Sequence, residues 1–118
     1  MDTVHELRRA DGGTLLDNLR FARSVRTRTK GLLGRRSLAQ GEGLGFREKS
    51  IHMLFMRMSL DIVFCDRDLT VVKVVHDIKP WRMTSCARAS YVFEIGPGEA
   101  ARLGIESGQQ LEAAPPLA

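Results

Sequence analysis

His52, Asp61 and a nearby hydroxyl are the residue types in this chain that suit nucleophilic chemistry. An imidazole held by a carboxylate takes the proton of an attacking serine, and Ser59 or Ser85 would supply the oxygen. No Gly-x-Ser-x-Gly elbow exposes either serine, so a hydrolase using His52 and Asp61 stands as an alternative reading. Asp61 also has a structural reading. It lies in the apolar run 59–65, where an isolated carboxylate is costly to bury and must find Arg57, Arg82 or a backbone amide.

Arg57 and Arg82 point to a different chemistry, because a guanidinium meets carboxylate or phosphate in two-point geometry. Trp81 follows Pro80 in an irregular stretch, where a tryptophan lines a groove or closes a core. Soft ligands gather nearby as His52, Met53, Met56, Met58, Cys65, His76, Met83 and Cys86, a set suited to copper(I) or zinc. They lack the CxxC, HxxxH or HxH spacing of a metal site, and methionines beside Leu54 and Phe55 read as core filling. No metal and no cofactor are expected.

The chain that must position these groups has 118 residues, a length that suits one domain. No apolar run approaches a membrane span, and residues 1–13 hold no apolar segment of signal-peptide type, so a cytoplasmic location is expected. Two cysteines are too few for a disulfide scaffold. The net charge of +4 is uneven. Residues 1–58 hold 12 bases and 6 acids, whereas residues 59–118 hold 6 bases and 8 acids. Arg20, Arg23, Arg26, Arg28, Lys30, Arg35 and Arg36 occur with no acid between Asp17 and Glu42. Such a run attracts anions or an acidic partner, or is simply a solvated basic surface. With Phe21 alone for stacking, nucleic acid is not favoured.

Periodicity predicts mainly strands. Leu19 and Phe21 alternate with polar residues, as a half-buried strand does. Gly41, Gly43 and Gly45 interleave with Leu44 and Phe46, which suits a strand close to another backbone. Residues 59–65 and 69–76 flank Asp66-Arg67-Asp68 as a hairpin. In it Leu60, Ile62 and Phe64 share one face, and Asp61, Val63 and Cys65 the other. Residues 90–95 and 109–113 read as two further strands. Helices are expected over 24–36 and over 99–103, the second ended by Gly104. The expected fold is mostly β (α+β), a small β-sandwich or open barrel with two short helices. Its core runs from about 14 to 113, with 1–13 and 114–118 flexible.

These residues in this order resemble the domain of unknown function 192 family. The resemblance spans about residues 15–112, beginning at the basic turn Arg26-Thr27-Arg28-Thr29-Lys30-Gly31-Leu32-Leu33-Gly34-Arg35 and continuing through Gly43-Leu44-Gly45-Phe46. Its centre is Ile51-His52-Met53-Leu54-Phe55-Met56-Arg57, followed by Leu60-Asp61, similar to the family's His-Thr-Phe-x-Met-Arg form. It closes on Tyr91-Val92-Phe93-Glu94-Ile95 and Leu103-Gly104-Ile105. Met58 and Ser59 stand where Phe and Pro are commoner in the family, and Gln109 where Asp is usual. The resemblance implies a compact β fold and no established activity or catalytic set.

Together the readings describe a small accessory or ligand-binding domain, more a binding module than an enzyme. Its expected site is a cleft of His52, Phe55, Arg57, Asp61, Trp81 and Arg82 that recognises an anionic small molecule. The second alternative to the hydrolase is a protein-interaction module acting through the basic segment 20–36.

Overall fold

The computed structural model of the chain describes residues 3–22, 32 and 34–117. In chain order the strands are β1 (Thr3–Arg9), β2 (Thr14–Phe21), β3 (Glu42–Phe46), β4 (Ser50–His52), β5 (Leu60–Cys65), β6 (Val71–Ile78), β7 (Met83–Ser85), β8 (Tyr91–Ile95) and β9 (Leu111–Ala114). One helix, α1 (Glu99–Leu103), stands between β8 and β9. Seven strands form one sheet in the order β6-β5-β8-β3-β2-β1-β9, and β4 pairs with β7 in a separate two-stranded sheet.

The large sheet is antiparallel except where β2 runs parallel to β3. It curls until its two edges meet at one end. Thr70 bridges Gln110, Val71 N–H donates to the Gln109 carbonyl at 2.9 Å, and Leu111 N–H to the Leu69 carbonyl at 3.0 Å. The architecture is therefore a partly closed barrel, and the open-barrel form of the expected fold is the one realised.

Curling gives the sheet an inner and an outer apolar face. Leu7, Leu16, Leu19, Val63, Phe93, Ile95 and Leu111 fill the inside. Leu44, Leu60, Ile62, Phe64 and Val92 form the other face, which Ile51, Met53, Met56 and Met58 cover. All six residues of β5 are buried, and its side chains alternate between the two cores as the hairpin predicts. Gly43 and Gly45 matter here because β3 lies between β2 and β8. A Cβ at Gly45 would stand 2.7 Å from Phe93 Cδ1, and one at Gly43 would stand 2.8 Å from Leu16 Cδ1. The missing side chains make room for larger ones inside the barrel.

Two expectations need correction. Within the stretch 1–13 expected to be flexible, Thr3–Arg9 form a full strand, β1, paired with both β2 and β9. Its inward residues are His5 and Leu7, whereas Val4 faces solvent, so hydropathy gave it no regular alternation. His5 is held by bonds of 2.6 Å to the Pro115 carbonyl and to Thr3 Oγ1. Secondly, two helices were expected, and the described residues contain one. The helix expected over 24–36 falls mainly outside them. Helix α1 ends at Gly104 as predicted, with φ 66° at that glycine.

Candidate functional site

The two short strands β4 and β7 create the most unusual surface of the molecule. Each borders a four-residue turn. In the first, Met56 N–H donates to the Met53 carbonyl at 3.2 Å, with Leu54 and Phe55 at the corners. In the second, Arg82 N–H donates to the Lys79 carbonyl at 3.3 Å, with Pro80 and Trp81 at the corners. Phe55 has φ 62° and Trp81 has φ 70°, so each aromatic residue holds the third turn position at which positive φ favours glycine. Positive φ is a true outlier for a bulky side chain.

Backbone bonds fix the turns against one another. Met53 N–H donates to the Arg82 carbonyl at 2.7 Å, and Trp81 N–H donates to the Met53 carbonyl at 2.8 Å. The register then sets His52 opposite Met83. As a result the rings of Phe55 and Trp81 meet edge to face, 4.8 Å between centroids at 61°. This is a normal separation for an attractive aromatic pair. Neither ring is buried: Phe55 is 65% exposed and Trp81 58%, beside Met83 at 74% and Leu54 at 39%. The turns thus project an apolar ridge into solvent.

The side chains of Arg57 and Arg82, exposed next to this ridge, enter no ion pair among the described residues. His52 is half-buried on β4. Five of the six expected site residues therefore gather on or beside the small sheet. They form a ridge where a cleft was expected, because the strained turns direct the rings outward.

Asp61 is separate. It is fully buried, with Oδ1 accepting Asp77 N–H at 2.8 Å and Oδ2 accepting Ala100 N–H at 2.9 Å. Both donors are backbone amides that secondary structure leaves over. Opposite Asp61 the β6 register slips from Ile78 to Val75, a bulge in which Asp77 takes φ 53°. Ala100 lies in the first turn of α1, whose N-terminus has no side-chain cap of its own. One carboxylate thus ties a bulge and a helix start to β5. Of the three partners expected for it, the backbone amide is the one found. Asp61 shares its face with Val63, whereas Ile51 of β4 and the adjoining Met53 cover the opposite face. The sheet stands between Asp61 and His52, which removes the orienting carboxylate from the hydrolase reading.

The soft ligands divide likewise. Met53, Met56 and Met58 are buried in the outer core. Burial pushes the Cys65 thiol up to about 12, so it carries no thiolate at neutral pH. Of the basic segment, Arg35 grips Glu42 through two bonds of 2.9 Å, and Arg20 lies 3.8 Å from the same carboxylate. The Arg35 hydrogen bonds hold the Glu42 carboxyl below its usual range. Positions 23–31 of that segment lie outside the described residues.

A groove of about 470 Å³ with a mixed lining opens elsewhere, between Arg36, Leu38, Met58, Asp77, Pro97 and Glu99 among others. Its acids are already engaged, Asp77 with Lys79 at 2.6 Å and Glu99 with Arg102 at 2.6 Å. Sequence reasoning missed Leu54 and Met83 as surface residues of the site, having named Met83 only among the soft ligands and Leu54 only as a neighbour of the core methionines. It also passed over Glu94, a fully buried acid on β8 between Leu44 and Ile62. Its signal was a lone carboxylate inside the apolar strand Tyr91–Ile95.

The family model DUF192, described as an uncharacterized ACR, matches residues 7–113. UPF0127 proteins of Pyrococcus furiosus and Pyrococcus abyssi are each 38% identical over 64 residues, 53% of this chain. That match spans about half, 54%, of either relative. Among solved structures, a "putative transcription regulator" of Sinorhizobium meliloti 1021 superposes with a TM-score of 0.80 at 27% identity, over 97% of this chain and 95% of its own. A protein of unknown function from Novosphingobium aromaticivorans gives 0.77 at 27% identity, over 94% and 84%. No helix among the described residues is long and apolar enough to cross a membrane.

Proposed function

Since the chain belongs to the domain of unknown function 192 family, for which no activity is established, we propose a function from its own geometry: a binding domain for anionic, partly apolar molecules. The observation that carries this reading is the pair Phe55 and Trp81, both at positive φ and both largely in solvent. Strain of this kind costs about 1–3 kcal/mol per residue and is retained where the exposed geometry has a use. The four apolar side chains would cover the apolar part of a ligand. Arg57 and Arg82, free of ion pairs among the described residues, would meet its carboxylate or phosphate.

The description of the Sinorhizobium protein as a regulator belongs to that protein. Of the basic segment, Arg35 and Arg20 are already drawn to Glu42, and Phe21 alone offers stacking, so the ridge is the better supported surface. Heat stabilisation tests the proposal, because a ligand that binds the folded state raises the melting temperature. Octyl phosphate below its micelle concentration should stabilise the protein, while inorganic phosphate or octanol alone should do so far less. Equal stabilisation by inorganic phosphate, or none by octyl phosphate, would refute it.

A further inference from the structure

We infer that the Phe55–Trp81 ridge seats the protein on an anionic phospholipid surface, an inference that rests on the binding function proposed above and names its partner. Three observations lead there. First, the apolar side chains lie at the tips of two adjoining turns. Leu54, Phe55, Trp81 and Met83 are between 39% and 74% exposed, so they project from the surface. A projecting Trp and Phe suit the boundary between headgroups and acyl chains.

Second, the charge around them is one-sided. Residues 47–57 and 76–88, which contain both turns, hold six bases and two acids. Their net of +4 equals that of the whole chain, so the remaining residues balance to zero. Of the two acids, Asp77 is neutralised locally by Lys79 at 2.6 Å. At the turns themselves Arg57 and Arg82 are exposed and enter no ion pair among the described residues, whereas Arg47 and Lys49 are engaged at the other end of the small sheet, with the Tyr91 ring and with the Ala87 and Ala89 carbonyls. Cations at the apolar tip complement an anionic leaflet and strengthen binding to it measurably. Arginine has a long apolar stem, so on insertion Arg57 and Arg82 would cover apolar surface with their stems while their guanidinium groups meet phosphates.

Third, the ridge is rigid for its size. The two turns are joined by the Met53 and Trp81 backbone bonds of 2.7 and 2.8 Å, and the rings brace one another at 4.8 Å. Insertion would therefore order little that is not ordered already, which favours binding.

Trp81 is the single tryptophan, so its fluorescence reports directly on the ridge. The test mixes the full chain with vesicles of phosphatidylglycerol and phosphatidylcholine, with phosphatidylcholine vesicles, with octyl phosphate monomers, and with poly-glutamate. The inference expects a blue shift and co-sedimentation with the anionic vesicles, weakened by salt and absent with pure phosphatidylcholine. Affinity should fall about fivefold for each of Arg57→Gln and Arg82→Gln, and at least about tenfold for Phe55→Gly.

A response to octyl phosphate without one to vesicles overturns the membrane inference and leaves the binding function standing. Silence toward both overturns both. Vesicle binding that survives Phe55→Gly and Arg82→Gln assigns it to another surface and overturns the inference. A Phe55-dependent response to poly-glutamate alone overturns it in favour of an acidic protein partner.

Discussion

Replacing Phe55 separates a ridge kept for binding from one kept for folding. A fully buried aromatic side chain removes about 200 Å² from water. At 65% exposure, Phe55 buries about a third of that, ~70 Å², worth ~1.8 kcal/mol at ~25 cal/mol per Å². Against this stands its φ of 62°, a left-handed conformation that costs an L-residue ~1–2 kcal/mol and glycine nothing. Phe55→Gly therefore loses burial, loses ~0.5–1 kcal/mol to the freer unfolded chain, and recovers the strain. The net is a destabilisation of about 1 kcal/mol, or roughly 5 °C in melting temperature for a domain of this size.

Phe55→Ala loses nearly the same burial and keeps the strain, so the glycine variant should be at least as stable as the alanine variant. That order reverses the usual one. Urea denaturation of the two variants measures it, with equal slopes required for the comparison. The binding of octyl phosphate should meanwhile fall at least about tenfold in both, a loss of ~1.4 kcal/mol of contact energy. A glycine variant 3 kcal/mol or more less stable than the native protein would show that the ridge is part of the core. Unchanged binding would show that it is not the recognition surface.

Asp61→Asn keeps one acceptor oxygen and turns an NH₂ toward a backbone amide, so it should cost about 1–3 kcal/mol in urea denaturation without changing octyl phosphate affinity. A fully stable variant would contradict the anchoring role. Gly45→Ala puts a methyl 2.7 Å from the Phe93 ring inside the barrel and should cost ~1–3 kcal/mol by overpacking, read as a lower melting temperature. Glu42 has its pKa lowered from 4.5 by Arg35, so its contribution is complete above that value and disappears as pH falls below it. Thermal melts should show this acid-side loss in the native protein and less of it in Glu42→Gln; identical profiles would contradict the assignment.

The strands with regular alternation were the legible part of the fold. Leu60, Ile62 and Phe64 face one core and Val63 and Cys65 the other, as their period of two requires. Gly104 ends α1 because a helix stop needs the left-handed conformation that glycine accepts. Strand β1 was not legible, since one of its two buried residues is a histidine whose partners, Thr3 and Pro115, are local in one case and at the far terminus in the other. The candidate site was half legible. Pro80 announced an irregular stretch, but nothing local puts Trp81 at positive φ. Backbone bonds between residues about thirty positions apart do that, and they also bring Phe55 to it. Asp61 illustrates the opposite difficulty. Its need for a partner was plain, but the amides that satisfy it come from a bulge and a helix start that only the folded chain creates.

Whether the ridge is a binding surface is tested most directly by the emission of Trp81 during titration with octyl phosphate. The native protein should show a saturable change, and Phe55→Gly should require at least about tenfold more ligand to reach the same point. A response that rises without saturation, or one that is identical in the two proteins, would contradict the account.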